Sequence, residues 1–198
     1  DYTVGLSASF KETFVAGGGE IVGWEAYGKD DVDFSAQLTK IAAAKPDILY
    51  LPDYYNKVSL IGQQARQKGI TAVFLGGDGW DSSELDFAAM DGGYFTNHYS
   101  PGDTRQIVVD WVAKYTAKYG AAPDALATLG YDAGKLLLKA IETAGSNDPT
   151  AIRDALQAIE LDVVSGTVSY DADGNPTKAA VILQIKDGKQ VYVSTINP

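Results

Sequence analysis

Asp78 lies between glycines in the run Gly76-Gly77-Asp78-Gly79-Trp80-Asp81, directly after an apolar stretch over 72–76 that reads as a buried strand. Four kinds of chemistry suit a carboxylate in that setting: a catalytic acid, a metal ligand, a partner for a ligand cation, or a turn that caps the next helix. A metal loop would have only Asp78, Asp81 and Glu84 as oxygen donors, and EF-hand spacing is absent. As a general acid Asp78 lacks a second carboxylate at defined spacing; Asp53 is the nearest thing to a partner. As a clamp it is coherent. Gly77 and Gly79 let backbone approach a small molecule closely, and a buried carboxylate is tolerated when a cation such as a ligand ammonium pairs with it. On these residues alone, the clamp and the capped turn both stand.

A second tip carries aromatic residues. In Pro52-Asp53-Tyr54-Tyr55-Asn56, Tyr54 and Tyr55 follow another short apolar run, 47–52. A tyrosine there can wall an apolar ligand group and offer its hydroxyl as a polar handle. Trp80 is near enough to Asp78 in sequence either to line a pocket or to pack behind it. The segment 171–176, DADGNP, lacks the further ligands of a calcium loop and reads as a hairpin turn. His98 is the one histidine, and there is no cysteine, so multi-His and thiolate metal sites and Cys nucleophiles are excluded. Nucleophile-elbow, P-loop and dinucleotide fingerprints are also absent, and no cofactor is implied.

Net charge is −10, from 26 acidic and 16 basic residues. Nucleic acid and anionic lipid surfaces are therefore disfavoured as partners, because binding them needs Lys and Arg to neutralise phosphates. No apolar run is long enough to cross a bilayer as a helix.

The elements that hold these tips alternate. Helical spacing over 5–15 places Leu6, Phe10 and Phe14 on one face; 20–27 reads as a strand; 33–44 is helical through Phe34, Leu38 and Ile41. Strand 47–52, helix 56–68, strand 72–76, a short helix near 83–90 and strand 93–99 follow. This is the rhythm of a Rossmann-like, doubly wound parallel sheet, whose ligands bind beyond the carboxyl ends of the strands. After Pro101 the pattern changes to three successive amphipathic helices over 104–119, 125–144 and 149–159, the last opened by Asp148-Pro149. Antiparallel strands close the sequence, with tight turns at Asp173-Gly174 and Asp187-Gly188. Three helices with no strand among them need an apolar surface. The expectation is a sheet supplied by a segment preceding Asp1 or by a second chain; packing as a small helical bundle is the alternative.

The segments DYTVGLSASFKETF, DVDFSAQLTKIAAAKPDILYLPDYYN, QARQKGI, LGGDGWDS, YFTNHYSP and LGYDAGKLLLKAIETAGSNDP occur in that order. Together they resemble the branched-chain amino-acid (Leu/Ile/Val-type) substrate-binding proteins of ABC transporters, which have the type I periplasmic-binding-protein fold. That resemblance implies two doubly wound lobes joined by three crossovers. Residues 1–98 and 164–198 would form the second lobe, and 102–160 the helices of a first lobe whose sheet lies outside the sequence.

The resemblance also implies roles. The carboxylate at the place of Asp78 pairs with a ligand α-ammonium, although many members carry Glu there. Tyr2 and Tyr54 line the pocket. Leu126 stands where the first lobe often supplies an aromatic ring, and the groups that hold the ligand carboxylate lie outside this sequence. The implied function is an extracytoplasmic, periplasmic or extracellular solute-binding protein, lipid-anchored or free, that passes a small aliphatic amino acid to a membrane permease. A ligand-sensing receptor or regulator domain is the alternative, and an α/β enzyme using Asp78 and Asp53 a third.

Overall fold

The structure, a computed structural model, describes residues 2–198, and the chain divides into two compact units. The first comprises residues 1–96 and 183–191, the second residues 97–182 and 192–198. Residues 164–182 thus group with the helices that follow Pro101.

In the first unit, helix α1 (Tyr2–Ala16) is followed by a segment without regular structure, helix α2 (Ser35–Ala44), strand β1 (Ile48–Leu51), helix α3 (Tyr55–Gln67) and strand β2 (Val73–Gly76). A 3-10 turn at Asp78–Trp80 then leads toward strand β3 (Tyr94–Asn97). β1, β2 and β3 are parallel neighbours, with Ile48 opposite Val73 and Leu75 opposite Tyr94. The α/β class with a parallel sheet is as expected. The sheet continues through β7 (Ala180–Lys186) and β8 (Lys189–Ile196) in the order β1-β2-β3-β7-β8. The β7–β8 turn is Asp187-Gly188, both at positive φ, as a two-residue hairpin requires. α3 buries Val58, Ile61 and Ala65 at helical spacing toward a core that includes Phe74, Trp80 and Phe95.

Two expectations about local structure fail. Residues 83–90 form turns rather than a helix. There the Ser82 hydroxyl accepts from Glu84 N–H and the Asp86 carboxylate from Ala89 N–H, and such short-range side-chain bonds compete with helical pairing. Residues 20–27 form no strand and belong to no ladder.

The second unit contains helices α4 (Gln106–Tyr119), α5 (Ala125–Ala144) and α6 (Pro149–Gln157), followed by strands β4 (Leu161–Val163), β5 (Gly166–Tyr170) and β6 (Pro176–Thr177). The strands form a three-stranded sheet of order β4-β5-β6, antiparallel at each pairing. Asp124 caps α5 through Ala127 N–H, and Asp148 caps α6 through Ala151 N–H with Pro149 in the first turn. The DADGNP segment is the β5–β6 turn. Asp171 accepts from the backbone N–H groups of Asp173 and Asn175 and from the Asn175 side chain.

Asp132, 2% exposed within α5, accepts from Val164 N–H at 3.0 Å and Ser165 N–H at 2.8 Å, fixing the β4–β5 turn. Small clusters hold the unit: Tyr99, Val108, Ala125 and Val164 in one, Leu136, Val163 and Val168 in the other. Leu126, Leu137, Leu138, Val109 and Tyr119 remain exposed on the helices. No described helix is long and apolar enough to cross a membrane.

Candidate functional site

Because β1 and β2 are parallel, their carboxyl ends lie side by side, and the loops after them meet. The loop after β2 begins with Gly77 in extended conformation and turns at once into the 3-10 segment that starts with Asp78. The loop after β1 carries Asp53 and Tyr54 into the start of α3. Helix α1 brings its first residue, Tyr2, to the same place.

Tyr2 donates its hydroxyl hydrogen to Asp78 Oδ1 at 2.7 Å, and its oxygen accepts from Gly79 N–H at 3.0 Å. Its ring stacks on Tyr54 with centroids 4.9 Å apart and planes at 27°. Tyr54 is 49% exposed, so this stacked pair presents an aromatic surface beside a carboxylate. A carboxylate accepts hydrogen bonds at about four positions, so the Tyr2 bond does not exhaust Asp78. The Tyr2 phenol is pushed well above its ordinary pKa, first by burial and then by the hydrogen bond to Asp78. It stays a neutral donor across the physiological range. Burial also raises Tyr50 in β1, with the Asp78 charge as the second cause.

The glycines around Asp78 have different reasons. A Cβ at Gly77 would lie 3.1 Å from the Tyr2 hydroxyl oxygen, and one at Gly79 would lie 3.1 Å from that oxygen and 2.9 Å from the Asp53 carbonyl oxygen. Both positions are small so that α1 and the two tips can touch. Gly76 is covered by the Trp80 indole instead, so its smallness serves packing rather than access to Asp78.

Trp80 itself is fully buried; its Nε1–H donates to Leu51 C=O at 3.0 Å and its ring lies 5.8 Å from Phe95. It packs beneath the loop and ties the β2 tip to β1, the second of the two roles that its place in the sequence left open. Tyr55 is also set apart: its phenol engages the Glu84 carboxylate, which raises its pKa. Leu126 lies in the second unit, 64% exposed in the first turn of α5.

Sequence reasoning missed Tyr27. Its hydroxyl donates to Asp53 Oδ2 at 2.7 Å, while Asp53 Oδ1 accepts from Tyr54 N–H at 2.7 Å. The buried Asp53 thereby fixes the backbone that carries Tyr54, and each carboxylate of the site has a tyrosine partner. The available signal was positional, since Tyr27 ends the run 20–27 as Pro52 ends the run 47–52. Burial, then the bond to Asp53, keeps the Tyr27 phenol protonated far above its ordinary range.

The family model for the periplasmic binding proteins matches residues 1–190. The chain belongs to the periplasmic binding protein family. Among curated relatives in it, the Leu/Ile/Val-binding protein BraC3 of Rhizobium johnstonii is 31% identical over 187 residues, covering 92% of this chain and 50% of that protein. The leucine-binding protein LivK from Thermotoga maritima superposes with a TM-score of 0.92 at 38% identity, covering all of this chain and 58% of LivK. The branched-chain amino-acid transporter substrate-binding protein LivJ from Streptococcus pneumoniae, solved with isoleucine, gives 0.87 at 31%, covering all of this chain and 57% of LivJ. The chain therefore spans about half the length of the curated relatives it matches.

Proposed function

We propose that this chain, as part of a longer binding protein, captures a small aliphatic amino acid of the branched-chain kind outside the cytoplasm and delivers it to an ABC-transporter permease. The observation that carries the reading is the Asp78–Tyr2–Tyr54 cluster at the joined tips of β1 and β2. Asp78 takes the ligand ammonium, Tyr2 aims the carboxylate, and the Tyr2–Tyr54 stack lies along the apolar side chain. Gly77 and Gly79 let Tyr2 and the Asp53 loop close around Asp78.

In this reading residues 1–98 and 164–198 belong to one lobe and 102–160 to another, whose sheet comes from a further segment or a second chain. The exposed apolar side chains of α4 and α5 support that view. The ligand carboxylate is held by that other lobe. Closure follows from tighter binding in the closed state, which shifts the population of lobe arrangements. The closed form is then what the permease reads.

The test compares ligands that differ only in the ammonium. The full-length protein, unfolded and refolded to strip carried-over ligand, is titrated calorimetrically with leucine and with its deaminated analogue 4-methylpentanoate. Leucine should bind at least about 30-fold more tightly, since losing one partner of a desolvated charge pair costs ~2–5 kcal/mol. Equal binding of the two would end the reading.

A further inference from the structure

We propose that Thr96, at the carboxyl tip of β3, is a further ligand-binding residue: its hydroxyl accepts an N–H of the ammonium that Asp78 receives. The inference rests on the reading of Asp78 as the ammonium partner. It adds a third strand tip of the first unit to the two already described.

The parallel ladder brings Thr96 to the site. Gly76 pairs with Phe95, so Gly77 and Thr96 lie side by side, one step beyond that pair. Phe95 is buried, with its ring 5.8 Å from Trp80. Thr96, the next residue along the strand, turns to the opposite face and is exposed. A Cβ at Gly77 would lie 3.1 Å from the Tyr2 hydroxyl oxygen, 3.3 Å from Leu6 Cδ1 and 4.0 Å from Thr96 Oγ1. Thr96 therefore shares the α1 face of the tip with Tyr2. Gly77 has no side chain to stand between the two hydroxyls.

The chemistry of an ammonium asks for such a group. It carries three N–H donors, and a carboxylate on one side of it leaves donors pointing elsewhere. In an open site water meets them. In a site closed on its ligand each needs an acceptor, because a buried donor left unpaired is costly, the more so on a charged group. The Tyr2 hydroxyl is already engaged, since it donates to Asp78 Oδ1 and accepts from Gly79 N–H. The Thr96 hydroxyl has no hydrogen-bond partner among the described residues. It is the uncommitted acceptor beside Asp78.

A threonine at a strand end also suits the backbone without any ligand, because β-branched residues favour strands. Valine meets that need equally well, so it separates the two roles. The branch also restricts the side chain to few rotamers, which holds the hydroxyl in place before the ligand arrives. Phe95, packed against Trp80 directly behind it, fixes the strand that carries it.

Thr96→Val keeps the branched shape and removes the hydroxyl, and Thr96→Ser keeps the hydroxyl without the branch. Each is made in the full-length protein, refolded free of ligand, and titrated calorimetrically with leucine and with 4-methylpentanoate. Thr96→Val should bind leucine about 10-fold more weakly than wild type, as loss of a hydrogen bond to a charged group requires, and 4-methylpentanoate equally well. Thr96→Ser should bind leucine within about 3-fold of wild type. Unchanged leucine affinity in Thr96→Val, with wild type still preferring leucine to 4-methylpentanoate, overturns this inference and leaves the role of Asp78 standing. Equal losses for the two ligands also overturn it, because they mark a structural role, as does a Thr96→Ser protein as weak as Thr96→Val. Equal binding of the two ligands by wild type removes the reading of Asp78, and this inference with it.

Discussion

The Tyr2 hydroxyl lies 2.7 Å from Asp78 Oδ1 and accepts from Gly79 N–H at 3.0 Å, which ties the start of α1 to the loop after β2. One side chain thus orients the carboxylate, satisfies a loop amide, and lends its ring to the stack with Tyr54. The arrangement makes Tyr2 a positioning residue for Asp78 as well as a surface for the ligand.

Tyr2→Phe keeps the ring and removes the hydroxyl. A hydrogen bond to a charged group is worth ~1.5–3 kcal/mol, so affinity for the amino acid should fall about 10-fold or more. Tyr2→Ala, which also loses the stack, should bind more weakly still. Calorimetry on both variants of the full-length protein checks the order, and equal affinities for wild type and Tyr2→Phe would contradict it.

Gly79→Ala places a methyl 2.9 Å from the Asp53 carbonyl oxygen and 3.1 Å from the Tyr2 oxygen. Overpacking of this kind costs ~1–3 kcal/mol. The variant should melt earlier and bind more weakly, because the displaced atoms belong to the site. Gly76→Ala meets the Trp80 indole instead, and should lower the melting temperature through the core.

The Tyr27 phenol is raised by burial and by its bond to Asp53. Folded, it holds its proton at pH values where the unfolded phenol, ionising near ~10, has lost it. Its contribution to stability is complete below that pH and is lost as pH rises through the folded value. Tyr27→Phe should therefore be the less stable protein at neutral pH and close the gap above pH ~10. Urea unfolding of both proteins across alkaline pH measures this, and a constant gap would contradict the linkage.

Asp132→Asn leaves one of the two turn amides, Val164 or Ser165, facing an amide N–H₂ inside the second unit. A buried unsatisfied donor costs ~1–3 kcal/mol, so the denaturation midpoint should fall with the slope unchanged. An unaltered midpoint would show that the turn is held by other contacts.

Much of the fold was legible because periodicity and caps report local choices. The Leu38 and Ile41 stripe, the short runs of β1 and β2, and Asp148-Pro149 all behave as their patterns require. What failed depended on partners. Residues 20–27 have the alternation of a strand, but a ladder needs a neighbour, and sequence alternation cannot supply one. Residues 83–90 have helical apolar spacing, yet Ser82 and Asp86 offer the backbone closer acceptors.

Within the site, Asp78 and Tyr54 were visible as polar and aromatic residues at strand tips. Tyr2 entered only through a resemblance, since nothing local shows where a first helical residue will lie. Trp80 adjoins Asp78 in sequence, and that left a wall and a packing role both open. Its indole is drawn inward by the apolar core and by Leu51 C=O, a partner 29 positions away.

The central claim is that Asp78 binds a ligand ammonium. Isothermal titration of refolded, ligand-free full-length protein with leucine, for wild type and Asp78→Asn, tests it most directly. The account predicts at least a ~30-fold loss of affinity on removing a partner of the desolvated charge pair. It also predicts that 4-methylpentanoate, which has no ammonium, binds Asp78→Asn no more weakly than it binds wild type. Leucine affinity unchanged in Asp78→Asn would contradict the account.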